Sequence, residues 1–333
     1  MAPQFHQTIL ITGATSGLGY QCALAVARQC PERQVIIAAR SDPNACAASI
    51  NRQLGQSNAA FRPLDLSSLA NIRQFSSEWD SSSFPPIQAL VMNAALQFPG
   101  DVEYTVDGFE KTFGISHIGH ALLFHLLRPH LVDTARIVIV SSGTHDPAQT
   151  TGMPAAVYNS AEELAHPTPE TSKNKGRQRY TSTKLANVLY CYALHERFMA
   201  ITRESDKKIR WAVSAFDPGL MPGTGLAREA TAMSRFFWLH VLPVILPVLR
   251  LFLTPNIHSP KDSGETLARL AVGEDVEGLS GVYYEGERQI KSSAASYEKS
   301  SQEDLWLWTA KTLGRDEAER SRFALQDLLQ ART

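Results

Sequence analysis

The chain has 333 residues, 44% hydrophobic and 20% charged, the balance of a soluble globular protein with a substantial core. Lys plus Arg number 32 against 33 Asp plus Glu, so no summed positive field attracts polyanions and a nucleic-acid role lacks its electrostatic footprint. Four cysteines, Cys22, Cys30, Cys46 and Cys191, have no paired metal-ligand spacing and are too sparse for a disulfide framework, so they are expected reduced and mostly buried.

In chain order, β-branched runs at 7–12, 34–39, 59–64, 87–92, 135–141, 209–216 and 280–284 predict strands. Helical patterns at 17–30, 67–79, 105–132, 179–201 and 259–273 fall between them, and a polar helix follows Tyr297. Runs that are apolar throughout suit strands covered on both faces. The alternation predicts an α/β fold: a doubly wound parallel sheet of about seven strands with helices on both faces, in a single domain over 1–333. The first run, "TILIT", starts too close to the amino end for a charged stretch, an apolar stretch and a cleavage site to precede it, which makes a cytoplasmic location the default expectation. Two segments break the rhythm. One is an insert at 143–178, rich in Thr, Pro and Ala, and the other is a strongly apolar region at 222–258; loops of this length in a compact α/β domain are usually functional.

The stretch "TGATSGLG", Thr12 to Gly19, directly follows the first strand and opens the first helix. Glycines there let the backbone turn tightly and approach a pyrophosphate, whose charge the helix N-terminus favours. Its G-x-x-x-G-x-G spacing resembles the short-chain dehydrogenase/reductase superfamily, which has a Rossmann-type fold. Further positions match that family in order along nearly the whole chain. The resemblance implies cofactor contacts from Gly13, Thr15, Ser16, Gly17, Leu18 and Gly19, from Asp65 and Leu66 beside the adenine, and from Asn93 and Ala94 after the fourth strand. In "VMNAA", Ala95 stands where the family has a glycine. Pro218 and Gly219 in "FDPGL" shape the nicotinamide pocket by the same resemblance, and Thr224 follows as a further contact. Ser142 in "IVIVSSGTH" matches the catalytic serine, and "YTSTK" supplies Tyr180 and Lys184, which also belong to the cofactor site.

Residues four apart share a helix face, so Lys184 can bring its ammonium near the Tyr180 phenol. At about 4 Å and an effective dielectric of about 20, that charge is worth about 4 kcal/mol, or roughly three pKa units. A phenol near its usual pKa of about 10 is thereby expected to approach neutrality and to act as general acid in reduction or general base in oxidation. Ser142 is expected to donate to the substrate oxygen. Ser116 stands at the family's catalytic asparagine; its carbonyl remains available to hold a water leading to the lysine, but the shorter side chain puts catalysis in some doubt. His117 and His120 lie three apart on a helix without a third ligand, and packing rather than a metal is expected there.

Within the superfamily the chain is similar to the protochlorophyllide oxidoreductase and retinol dehydrogenase branch, on the evidence of "ISHIGHALL", the insert before Tyr180 and "FDPGLMPGTGL". Leu220 replaces a cysteine usual in protochlorophyllide enzymes, which makes that photoreaction a minority reading. The second strand ends in Ala38, Ala39 and Arg40 rather than in a carboxylate; a guanidinium suits the 2′-phosphate of NADP(H), while Asp42 keeps NAD as an alternative. The apolar run 236–253 is broken by Pro243 and Pro247 and reads as a lid over a bulky hydrophobic substrate, with peripheral membrane contact or plain core packing as alternatives. Three functions stay open: an NADPH-dependent carbonyl reductase or alcohol dehydrogenase, an NADP(H)-binding regulator with little catalysis, and a membrane-associated reductase of lipid-like substrates. Oligomeric state stays undetermined.

Overall fold

The computed structural model describes residues 5–82, 84–149, 151–204, 208–221 and 256–329. Among the described residues, eight strands form one sheet in the order β3-β2-β1-β4-β5-β6-β7-β8. They are β1 (Thr8–Thr12), β2 (Gln34–Ala39), β3 (Ala59–Pro63), β4 (Ile87–Met92), β5 (Leu131–Val140), β6 (Ala212–Asp217), β7 (Val282–Glu285) and β8 (Arg288–Ile290). Neighbours from β3 to β7 run parallel, and only β8 is antiparallel, folded back on β7.

The apolar runs explain this arrangement. All five residues of β1 are buried, and alternation sends Ile9 and Ile11 into one core and Leu10 into the other. On the first face pack the helices Gly17–Gln29 and Pro260–Val272. On the second lie Leu69–Asp80, Gly119–Leu127, the long Gly176–Glu204 helix and Lys299–Leu313. Strand order reverses at the neighbouring β1 and β4, so a crevice opens at the carboxyl ends of those strands, where open α/β sheets bind their ligands.

The seven predicted strands are present as the parallel part, and β8 adds a hairpin strand too short to carry a sequence signal. A helix at Cys46–Leu54 was not expected; its start is held by Asp42, whose Oδ1 accepts from the Cys46 amide at 2.8 Å. The helix expected over 105–132 begins at Lys111, contains a π-helical turn at Gly114–Ile118, and gives way to β5 at Leu131. The closing helix is less polar in its placement than its composition suggests, since Leu305, Trp306, Ala310 and Leu313 are buried against the Gly176–Glu204 helix. All four cysteines are free and buried. No helix among the described residues is long and apolar enough to cross a membrane; the run 236–253 lies outside them.

Candidate active site

A cleft of about 860 Å³ runs along the carboxyl ends of β1, β2, β4, β5 and β6. Gly13, Thr15, Ser16, Gly17, Leu18 and Gly19 line it at one end, with Arg40, Asp65, Leu66, Asn93 and Ala94; Ser142, Tyr180, Lys184, Pro218 and Gly219 line it at the other. Thr224 lies outside the described residues.

The end with the glycine turn is made mostly of backbone. Gly13 has φ +66°, and a Cβ on it would stand 2.8 Å from the Ala94 Cα. On Gly19 a Cβ would stand 2.5 Å from Asn93 Nδ2 and 2.7 Å from the Gly13 carbonyl oxygen. The turn and the end of β4 are thus packed backbone to backbone. Asn93 ties them, donating from its amide nitrogen to the Thr12 hydroxyl at 2.9 Å and from Nδ2 to the Thr12 carbonyl at 2.8 Å. Ser16 sits at the N-cap of the first helix without a side-chain bond to it, and the first turn has no acidic residue. The N–H groups of that turn therefore meet no carboxylate from the helix itself, a surface that fits a pyrophosphate. Asp65 is fixed by Ser67, which donates to its Oδ1 from both N and Oγ. Arg40 is exposed at the cleft, while Asp42 is spent on the helix after it.

At the other end the groups come together by side chain. Tyr180 and Lys184 are buried on one face of the Gly176–Glu204 helix, with Nζ 5.5 Å from the Tyr180 ring centre. Nζ donates to the Val140 carbonyl at 3.0 Å, and Ser141 Oγ donates to the Lys184 carbonyl at 2.8 Å, which seats the helix on the end of β5. The electrostatics differ from the sequence-based expectation. Burial pushes the Tyr180 phenol up from its ordinary value, and Asp217 pushes it further; only the Ser142 hydroxyl beside it pulls the other way. Burial also lowers Lys184 to about 8, against the pull of Asp217. Desolvation of the two buried groups is the largest influence on each, and the gain expected from spacing alone does not lower the phenol.

Ser116 is buried on the π-helical turn and does not line the cleft; its neighbour Ile115 does. Its hydroxyl has no hydrogen-bond partner among the described residues, and its carbonyl accepts from His120 Nδ1 at 3.1 Å. With that proton on Nδ1, His120 Nε2 accepts from the Thr12 hydroxyl at 2.8 Å, the same hydroxyl that receives Asn93. Burial holds His120 at about 4 and His117 at about 3, so both are neutral. His117 stacks on Phe113 and reaches Thr309 at 3.2 Å. Both rings are packing and positioning groups.

Sequence reading passed over several groups around this end. His145 donates from Nδ1 to the Ser142 carbonyl at 2.7 Å and accepts on Nε2 from the Ser293 amide at 3.2 Å, fixing the loop that carries Ser142. Arg179, beside Tyr180, pairs with buried Glu110 at 3.2 Å and donates to the carbonyls of Gly100, Asp101 and Asn174. The Val157 amide donates to Ser182 Oγ at 3.0 Å, which pins the insert to the helix of Tyr180. Asp217 closes β6, and the one available signal was an acidic residue ending a strand that is apolar but for Ser214.

Comparison with known proteins agrees with this geometry. Residues 7–161 match the family model described as short chain dehydrogenase. The chloroplastic protochlorophyllide reductase of Daucus carota is 30% identical over 330 residues, 92% of this chain and 78% of that protein. The chain belongs to the short-chain dehydrogenase/reductase family. It is thereby an oxidoreductase of the nicotinamide-dependent kind. Polyprenol dehydrogenase of Danio rerio is 29% identical over 322 residues, covering 93% of this chain and 88% of that one, so both relatives fall in the branch expected from sequence. Among solved structures, an uncharacterised protein from Mycobacterium Paratuberculosis superposes with a TM-score of 0.62 at 24% identity, over 93% of this chain and 95% of its own, which shows the shared fold.

Proposed function

We propose that the protein is an NADPH-dependent reductase of bulky hydrophobic carbonyl compounds, with Tyr180 as the group that moves the proton. The observation that carries the reading is the convergence of Tyr180, Lys184 and Ser142 on one end of a cleft whose other end is a glycine turn at a helix N-terminus. Arg40 supports the phosphorylated cofactor: it is exposed at the cleft, where a guanidinium forms charge-assisted bonds to a 2′-phosphate. Asp42, the competing ribose ligand, is committed to the Cys46 amide. The chemistry supplied by bound NADPH is hydride transfer to the carbonyl carbon.

Ser142 Oγ donates to the substrate oxygen and holds the carbonyl in place. The Tyr180 phenol, kept protonated by burial and by Asp217, delivers its proton to that oxygen as charge develops on it. The buried Lys184 ammonium stabilises the phenolate left behind. Burial keeps the phenol in its protonated form, the form from which it acts as general acid. The cleft volume and the relatives named for a polyprenol and for protochlorophyllide support a large apolar substrate. A second reading, an NADP(H)-binding regulator with little turnover, draws on the small, unpartnered side chain of Ser116. A panel of hydrophobic ketones and aldehydes followed by NADPH absorbance separates the two: turnover of any of them supports the reductase, and tight NADPH binding with none supports the regulator.

A further inference from the structure

Asp217 is a buried carboxylate on the cleft wall. β6 is apolar but for Ser214 from Ala212 to Phe216 and ends on Asp217, which is 2% exposed. Its Oδ1 accepts from the Gly219 amide at 3.0 Å and its Oδ2 from the Asn256 side-chain amide at 2.7 Å, so both hydrogen-bond partners are neutral. A Cβ on Gly143, the residue after Ser142, would stand 2.8 Å from Asp217 Oδ2 and in closer contact with Gln149 Oε1. The carboxylate therefore sits against the loop that presents Ser142, at the end of the cleft where a substrate carbonyl is held. It also acts on Tyr180 and Lys184 through its charge. Among the described residues, four charged side chains besides Lys184 and Asp217 line the cleft. Arg40 and Asp65 stand at the cofactor end, Arg177 is exposed, and Glu285, opposite Asp217 in the β6–β7 ladder, is paired with Arg288 at 2.8 Å.

We propose that Asp217 is a specificity-determining charge: it reserves the reacting end of the cleft for carbonyl compounds with an uncharged neighbouring substituent and turns away those carrying a carboxylate or phosphate on the carbon next to the carbonyl. This rests on the reductase reading above. Lys184 and Asp217 balance each other when the site is empty of other charge. A substrate anion beside Ser142 upsets that balance, because it meets the carboxylate in a poorly screened space, and specificity of this kind comes from the repulsive element as much as the attractive one. Neutralising Asp217 removes the repulsion that an anion meets there, so the discrimination against anions is lost.

The test compares methyl benzoylformate with benzoylformate, two aryl ketones that differ in the charge next to the carbonyl, in wild type, Asp217→Asn and Asp217→Ser. Wild type is expected to show a kcat/KM at least tenfold higher for the ester, and the variants to lower the ester-to-acid ratio at least tenfold, mainly through KM of the acid. Calorimetric binding of both compounds to the NADPH complex gives the ratio without turnover. An ester-to-acid ratio that is the same in wild type and in either folded variant overturns the role of Asp217, even where ester turnover upholds the reductase. A ratio that shifts in binding while no carbonyl compound is turned over supports Asp217 and removes the reductase reading instead.

Discussion

The two ends of the cleft are built from different materials. At the cofactor end, Gly13, Gly19, Asn93 and Thr12 fit backbone against backbone, with contacts that leave no space for even one added carbon. At the reacting end, side chains from β5, β6, the long helix and the 143–178 insert converge, and their properties come from what encloses them. A backbone-built site tolerates almost no change in residue type along a short stretch. A side-chain-built site depends on neighbours far apart in sequence, and the same residues in another enclosure would titrate elsewhere.

Substitutions at each end can break or sharpen this contrast. The largest effect is expected from Tyr180→Phe, which keeps the ring and removes the transferable proton. Its kcat should fall by about 10²–10⁴ in steady-state assays while NADPH affinity, measured by fluorescence titration, stays within about twofold. Arg40→Ala should weaken NADPH by about 1.5–3 kcal/mol and leave NADH nearly unchanged, because only the phosphorylated cofactor loses a charge-assisted contact. Equal loss for both cofactors in parallel titrations contradicts the assignment. Gly19→Ala places a carbon 2.5 Å from Asn93 Nδ2 and 2.7 Å from the Gly13 carbonyl, and should cost about 1–3 kcal/mol in stability together with NADPH affinity. Unchanged melting and binding would show that the turn is softer than described.

The smallest effect expected is on pH dependence. The amine of Lys184 is lowered from 10.5 to about 8 by burial, so its ammonium is lost as pH rises through about 8. Reductase kcat/KM should therefore fall above that pH. Stability should move the opposite way. Between about 8 and 10.5 the unfolded chain binds the proton that the native chain has released, so the native state gains as pH rises through that window. Melting temperatures of wild type and Lys184→Met across that range check the sign, since the variant should lack the gain.

Much of the fold was legible because apolar runs such as "TILIT" and "VIIAA" leave one solution, a strand covered on both faces. The glycine turn and the Tyr180–Lys184 spacing were equally plain, since both rest on local geometry. What sequence could not supply was enclosure. Four-residue spacing brought Lys184 to Tyr180 but said nothing of the burial that pushes the phenol up instead of down. Asp42, which had kept NAD open as an alternative, bonds the Cys46 amide at the start of the Cys46–Leu54 helix. Asp217 is a single letter ahead of a Pro-Gly turn, and its bearing on Tyr180 exists only once β6 lies beside β5. The apolar run 236–253, expected as a lid over the substrate, lies outside the described residues.

The pins at His145 and Val157 make the rim between them a separable part. On one side His145 locks the Ser142 loop to Ser293, and on the other the Val157 amide is locked to Ser182 on the helix of Tyr180. The chain between them contributes Ala148, Gln149, Thr151 and Met153 to the cleft wall, and its described residues belong to no strand of the sheet. For protein engineering this is a cassette: a stretch of about ten residues whose replacement redraws the entrance while the proton-transfer groups keep their anchors, so libraries confined to 147–155 sample new substrates without re-solving the fold.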